Sequence, residues 1–189
     1  MKKKSITALV AAVIIIIVAA SSVAYFNSKD TADNVFTVGD VDITLTEPGW
    51  DPEGDHIFSP GAEFKKDPTV TNTGDRDAYV RINMTVTDGA FFQEHYDQLL
   101  QNYDPDVWQQ DGDPDTSGGV YKASFIFHKK LAPGESTAPL FTGIKFSEEI
   151  EQSVLEELGD TLEMTFTADA IQAEGFDDPE EAFRAYDNN

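Results

Sequence analysis

Three histidines and a run of alternating aspartates are the residues of this 189-residue chain whose types suit metal chemistry. Zinc hydrolysis on a helix calls for two histidines four residues apart with a glutamate beside the first. Glu94-His95 lies on a predicted helix, but the position four residues after His95 is Leu99. His56 and His128 lie far away in sequence, and no His-Glu-x-x-His or inverted form occurs. His128 continues the phase of Lys122, Ser124 and Ile126, which places it on the outer face of a strand. Serine chemistry has no better footing. Gly-x-Ser-x-Gly is missing, and Ser136 after Pro133-Gly134-Glu135 reads as a turn residue. Cysteine is absent, which excludes thiol catalysis, Cys-ligated iron–sulfur clusters and Cys-based zinc sites.

Carboxylates offer one metal candidate. Asp111, Asp113 and Asp115 have the 1-3-5 spacing by which alternate side chains turn toward one calcium ion. The continuation departs from that loop: Thr116 replaces the glycine at position 6, Lys122 replaces the glutamate at position 12, and Pro114 stiffens the segment. The better reading is an acidic solvated loop. No cofactor is required, and calcium is the one ion for which these residues make a weak candidate site.

The elements that must position these residues are mostly strands. Val80, Ile82, Met84 and Val86 alternate with Arg81, Asn83 and Thr85. Tyr121, Ala123, Phe125 and Phe127 repeat the pattern, and so do Leu162, Met164, Phe166, Ala168 and Ala170. Period two with one apolar phase predicts strands with one face in the core. Shorter strands are expected at 36–45, 68–73 and 139–146. In the first, Phe36 and Val38 are out of phase with Val41, Ile43 and Leu45, so a bulge or bend is expected at Gly39-Asp40. Pro60-Gly61, Asn72-Thr73-Gly74-Asp75 and Pro133-Gly134 supply turns.

Helices are expected as insertions. Gln93–Tyr103 would turn Tyr96, Leu99, Leu100 and Tyr103 to one face, and Ser147–Leu158 would carry Ile150, Val154, Leu155 and Leu158 as its stripe, with Ser147 as cap. A third begins at Asp178-Pro179, with Phe183 and Tyr186 docking it on the body. The fold class expected is all-β: an antiparallel jelly-roll sandwich with short helical insertions.

Lys2-Lys3-Lys4, the apolar run Ile6–Ala20 and the small-residue exit Ser22-x-Ala24 compose an export signal, cleaved between Ala24 and Tyr25. A retained anchor is the competing reading, since Ile6–Phe26 is long enough to span a bilayer. No basic stop-transfer cluster follows the run, which favours cleavage. The chain is expected outside the cytoplasm, extracellular or at the cell surface. Residues 1–24 hold three lysines and no acid, so the mature chain keeps 10 Lys+Arg against 35 Asp+Glu, a charge of −25. Such a surface repels phosphates and argues against nucleic-acid partners. It suits cations or a basic wall component, and makes self-association dependent on salt or Ca²⁺.

Several segments together resemble the TasA/camelysin family of bacterial cell-surface proteins. They are Ala24-Tyr25-Phe26, Asp30-Thr31-Ala32-x-Asn34-x-Phe36-Thr37-Val38-Gly39 and Leu45-Thr46-Glu47-Pro48-x-Trp50-Asp51. Pro60-Gly61, Lys66-Asp67-Pro68-Thr69-Val70-Thr71-Asn72-Thr73-Gly74-Asp75, Asp77-Ala78-Tyr79-Val80 and Ala170-Ile171-Gln172-Ala173-Glu174-Gly175-Phe176 continue the match in order. The leader resembles those processed by the signal peptidase SipW. The resemblance implies a jelly-roll domain, residues 46–189, preceded by a segment 25–45 that completes a sheet of the next subunit in a biofilm-matrix fibre. Phe36, Val38, Val41, Ile43 and Leu45 would be its inserted side chains, or those of an ordinary first strand within one chain. Implied partners are other copies, matrix or cell-wall components, and the signal peptidase during export. The camelysin branch implies a rival, a cell-surface metallopeptidase, for which only His56, His95 and His128 are at hand. A monomeric wall-binding adhesin is a third reading, in which Trp50 and Trp108 would matter if exposed.

Overall fold

The computed structural model describes residues 41–188 apart from 53, 55 and 159–161. The leader 1–24, the Ala24–Tyr25 bond, Phe36, Val38 and the expected bend at Gly39-Asp40 lie outside the described residues. Among the described residues no helix is long and apolar enough to cross a membrane.

In chain order the strands are β1 (Ile43–Thr46), β2 (Glu63–Lys65), β3 (Thr69–Asn72), β4 (Ala78–Val86), β5 (Leu100–Gln101), β6 (Trp108–Gln110), β7 (Tyr121–Phe127), β8 (Gly143–Lys145) and β9 (Met164–Gln172). The helices are α1 (Gly89–Leu99), α2 (Gln152–Leu158) and α3 (Pro179–Asp187). The three alternating segments of the sequence become adjacent strands of the largest sheet, ordered β6-β7-β4-β9. Ile82 faces Phe125 on one side and Ala168 on the other. A second sheet runs β2-β8-β5, and β1 pairs with β3. Every pairing between these strands is antiparallel. The described residues are therefore predominantly antiparallel β with three short α-helices.

Alternation sorts each central strand between two apolar layers. Val80, Ile82, Met84, Val86, Phe125, Phe166 and Ala168 enter the main core, with Trp108, Phe141, Ile144 and Phe146. The opposite face was expected to be polar, yet Ile126 is only 1% exposed there. It packs with Tyr79 and Ile171 beneath Ala182 and Phe183 of α3. The sheet is thus covered on both sides where α3 lies. Asp178 caps that helix by accepting from the Glu181 N–H at 2.7 Å, with Pro179 in the first turn as expected.

Two helices depart from expectation. α1 begins at Gly89 rather than Gln93, because Phe92 is buried against Tyr121 at a ring separation of 5.0 Å. It stops at Leu99, where Leu100 leaves the helix to pair with Ile144. Tyr103 therefore lies beyond the helix and packs on Phe125 at 5.6 Å. α2 begins at Gln152, since the Ser147 hydroxyl accepts from the Glu149 N–H in a local turn instead of capping a helix. Leu155 and Leu158 are buried, while Val154 is 38% exposed. The Pro133-Gly134 turn is as expected: Glu135 N–H donates to Ala132 at 3.0 Å around Gly134 at φ 81°.

Candidate functional site

The register of β1 on β3 places Thr46 opposite Thr69, so the residues just beyond these ends meet. Glu47 follows β1, and Lys66 and Asp67 precede β3. Lys66 is fully buried, and its ammonium Nζ lies 2.8 Å from Glu47 Oε2. Trp50 roofs the pair, 4.4 Å from Nζ to the ring centre, and the Phe166 ring lies 5.5 Å away. Asp67 braces the turn from outside by accepting the Gly49 N–H at 2.7 and 3.0 Å. His56 stacks on Trp50 with centroids 4.1 Å apart. Two segments distant in sequence, Leu45–Asp51 and Lys66–Asp75, thus converge on one buried acid–base pair.

The electrostatics of this pair are set by burial. Desolvation raises the Glu47 pKa, and the charge and hydrogen bond of Lys66 only partly offset it. Desolvation likewise lowers the Lys66 pKa, against the pull of Glu47. Glu47 Oε1 is buried with no hydrogen-bond partner, an unusual state for a carboxylate oxygen. The arrangement can hold a proton between amine and acid, away from water.

A second polar centre occupies the α3 face. Arg81, on β4, donates to Asp169 of β9, to Asp111 of the loop after β6 and to Asp187 at the end of α3. Its guanidinium also lies over the Phe183 ring at 4.6 Å. Burial alone would lower the Arg81 pKa, but the hydrogen bonds it donates to Asp187, Asp111 and Asp169 outweigh it and hold the group firmly charged. Sequence reading set Arg81 in the phase that alternates with the core residues of its strand. The signal it passed over was Tyr79, Ile126 and Ile171, apolar residues in the outward phase that need a cover.

The calcium candidate is dispersed. Asp111 is engaged by Arg81 at 3.0 Å, so a guanidinium supplies its positive partner. Asp113 is exposed, and Asp115 Oδ1 accepts from the Ser117 N–H at 2.9 Å, which lowers its pKa. His56 is on Trp50, His128 is exposed, and His95 lies 4.5 Å from Phe91. His95 also lines an open groove of about 590 Å³ with Phe91, Glu94, Glu149 and Ile150. Among the described residues no group of three or more His, Asp or Glu side chains could hold a metal ion. Trp50 and Trp108 are 9% and 0% exposed, so both are packing residues rather than a sugar-binding surface.

Of the candidate donor strand, the described half is Val41, Ile43 and Leu45, buried at 0, 0 and 2% exposure in the main core. Ile43 and Leu45 lie in β1, which pairs with β3 of the same chain, and Val41 directly precedes that strand. No family model, curated protein or solved structure matches the chain.

Proposed function

We propose that the chain is an exported cell-surface or biofilm-matrix protein of the TasA/camelysin kind, a fibre subunit or accessory that assembles by strand exchange. The observation that carries this reading is β1 with the residue that leads into it: Ile43 and Leu45 of the strand and Val41 just before it are core side chains, and the strand is paired with β3. A strand that fills the core of its own chain can fill the same place in a neighbour, and repetition of that heterologous contact builds a filament. The finer fold in this reading is a jelly-roll sandwich, supported by antiparallel pairing throughout and by sheets that share one core.

Cleavage after Ala24 frees residues 25–45 outside the cell, and a charge of −25 opposes contact between copies. Salt or divalent cations therefore promote assembly by screening. Other matrix or wall components would join the fibre. The test is negative-stain electron microscopy of residues 25–189, with and without Ca²⁺ and raised salt, beside a casein-cleavage assay. Filaments without proteolysis are expected. Monodisperse particles that cleave casein and stop with a chelator would replace this reading with the metallopeptidase. Particles that do neither would favour the wall-binding adhesin.

A further inference from the structure

Strand exchange leaves the enclosed pair behind Trp50 without a role. We infer that Lys66 and Glu47 become joined by an intramolecular isopeptide bond between Nζ and Cδ, a covalent staple in a chain that has no disulfide. The inference is independent of the fibre reading.

The geometry supplies what condensation needs. Nζ is already in hydrogen-bond contact with the Glu47 carboxyl at 2.8 Å, and the two side chains are 0% and 6% exposed. Trp50 and Phe166 wall the site with aromatic surface. In water the reaction fails, because the amine is protonated and the carboxylate is a poor electrophile. Enclosure disfavours both charges, and the shifts of both groups run toward the neutral forms. Holding the reactants in place removes the entropic cost of bringing them together.

The step balances within the pair. One proton passes from the Lys66 ammonium to the Glu47 carboxylate, leaving a neutral amine and a neutral acid. The Nζ lone pair attacks Cδ and forms the C–N bond. One C–O bond breaks, and its oxygen leaves as water with the transferred proton and one further proton from nitrogen. No oxidant or outside reagent takes part.

The product also removes what is costly in the pair. Two buried charges disappear, and a carboxylate that carries a partnerless oxygen gives way to an amide. The link fastens the end of β1 to the β2–β3 connection and leaves the chain before Glu47 free to pair in cis or in trans.

The test is mass spectrometry of the purified mature protein, intact and after proteolysis. The expected result is a protein lighter than its sequence by one water, with a peptide in which Glu47 is linked to Lys66. A Lys66→Arg variant should have its full sequence mass. Wild-type protein at full sequence mass, with Glu47 and Lys66 in unlinked peptides, overturns the inference and leaves an ion pair. Water loss mapped to Asp88-Gly89 or Asp111-Gly112, where a succinimide could form, overturns it equally.

Discussion

Arg81 Nη1 donates to Asp187 Oδ2 over 2.7 Å, tying the last turn of α3 to the middle of the largest sheet. The same guanidinium reaches Asp169 on the neighbouring strand and Asp111 on the loop after β6. One side chain therefore registers a helix, two strands and a loop. Replacing Arg81 by Met should cost about 1.5–3 kcal/mol, since the buried guanidinium's charged hydrogen bonds to three partly exposed carboxylates are lost. Urea denaturation measures it, and an unchanged midpoint would refute the central role of this residue.

Acid should release the same helix. The hydrogen bond from Arg81 holds the Asp187 pKa below the usual carboxylate range. A lowered folded pKa means that the contribution is present above the unfolded value and is lost as pH falls through the folded one. Docking of α3 should thus be flat near neutrality and loosen below about pH 4. Hydrogen exchange of the α3 amides would follow it, and Asp187→Asn should exchange faster at neutral pH with a weaker acid dependence.

Lys66→Met should destabilise the protein by about 3 kcal/mol, since it strands Glu47 in an apolar pocket. Glu47→Leu combined with Lys66→Met should be more stable than Lys66→Met alone, because no buried carboxyl is then left without its partner. A double variant no more stable than the single one would mean that desolvation of Glu47 is not the dominant penalty.

A chain that begins at Thr46 loses Val41, Ile43 and Leu45 from the core. Each buried side chain of this size contributes about 1.5–3 kcal/mol, so the total rivals the whole margin of a typical domain, about 5–15 kcal/mol. Circular dichroism should show loss of cooperative folding. A synthetic peptide covering residues 36–46 should restore it if β1 is exchangeable, and failure of rescue would count against strand addition.

Gly89 opens α1 against the backbone at the start of β7. A Cβ there would lie 2.4 Å from the Val120 carbonyl carbon and 2.6 Å from the Tyr121 nitrogen. Backbone cannot yield as a flexible side chain can. Gly89→Ala should cost about 2–3 kcal/mol through overpacking, read as a lowered melting temperature.

Local physics made much of the fold legible. Period-two alternation marked β4, β7 and β9, because a strand's faces are decided by neighbours two residues apart. Asp178-Pro179 marked the start of α3, because capping acts within one turn. The ends of α1 were misplaced, since Phe92 and Leu100 answer to Tyr121 and Ile144 on distant strands.

By itself the sequence determined the strand pattern, the turns, the strong negative charge and the absence of any thiol. The tertiary structure alone decided the charge partners. Lys66 finds Glu47 across 19 positions and Arg81 finds Asp187 across 106, through strand register and helix docking. Asp111, a weak calcium candidate by its spacing, accepts a hydrogen bond from Arg81. An acidic side chain reports its own charge to any reader, but which cation it meets depends on which elements pack together.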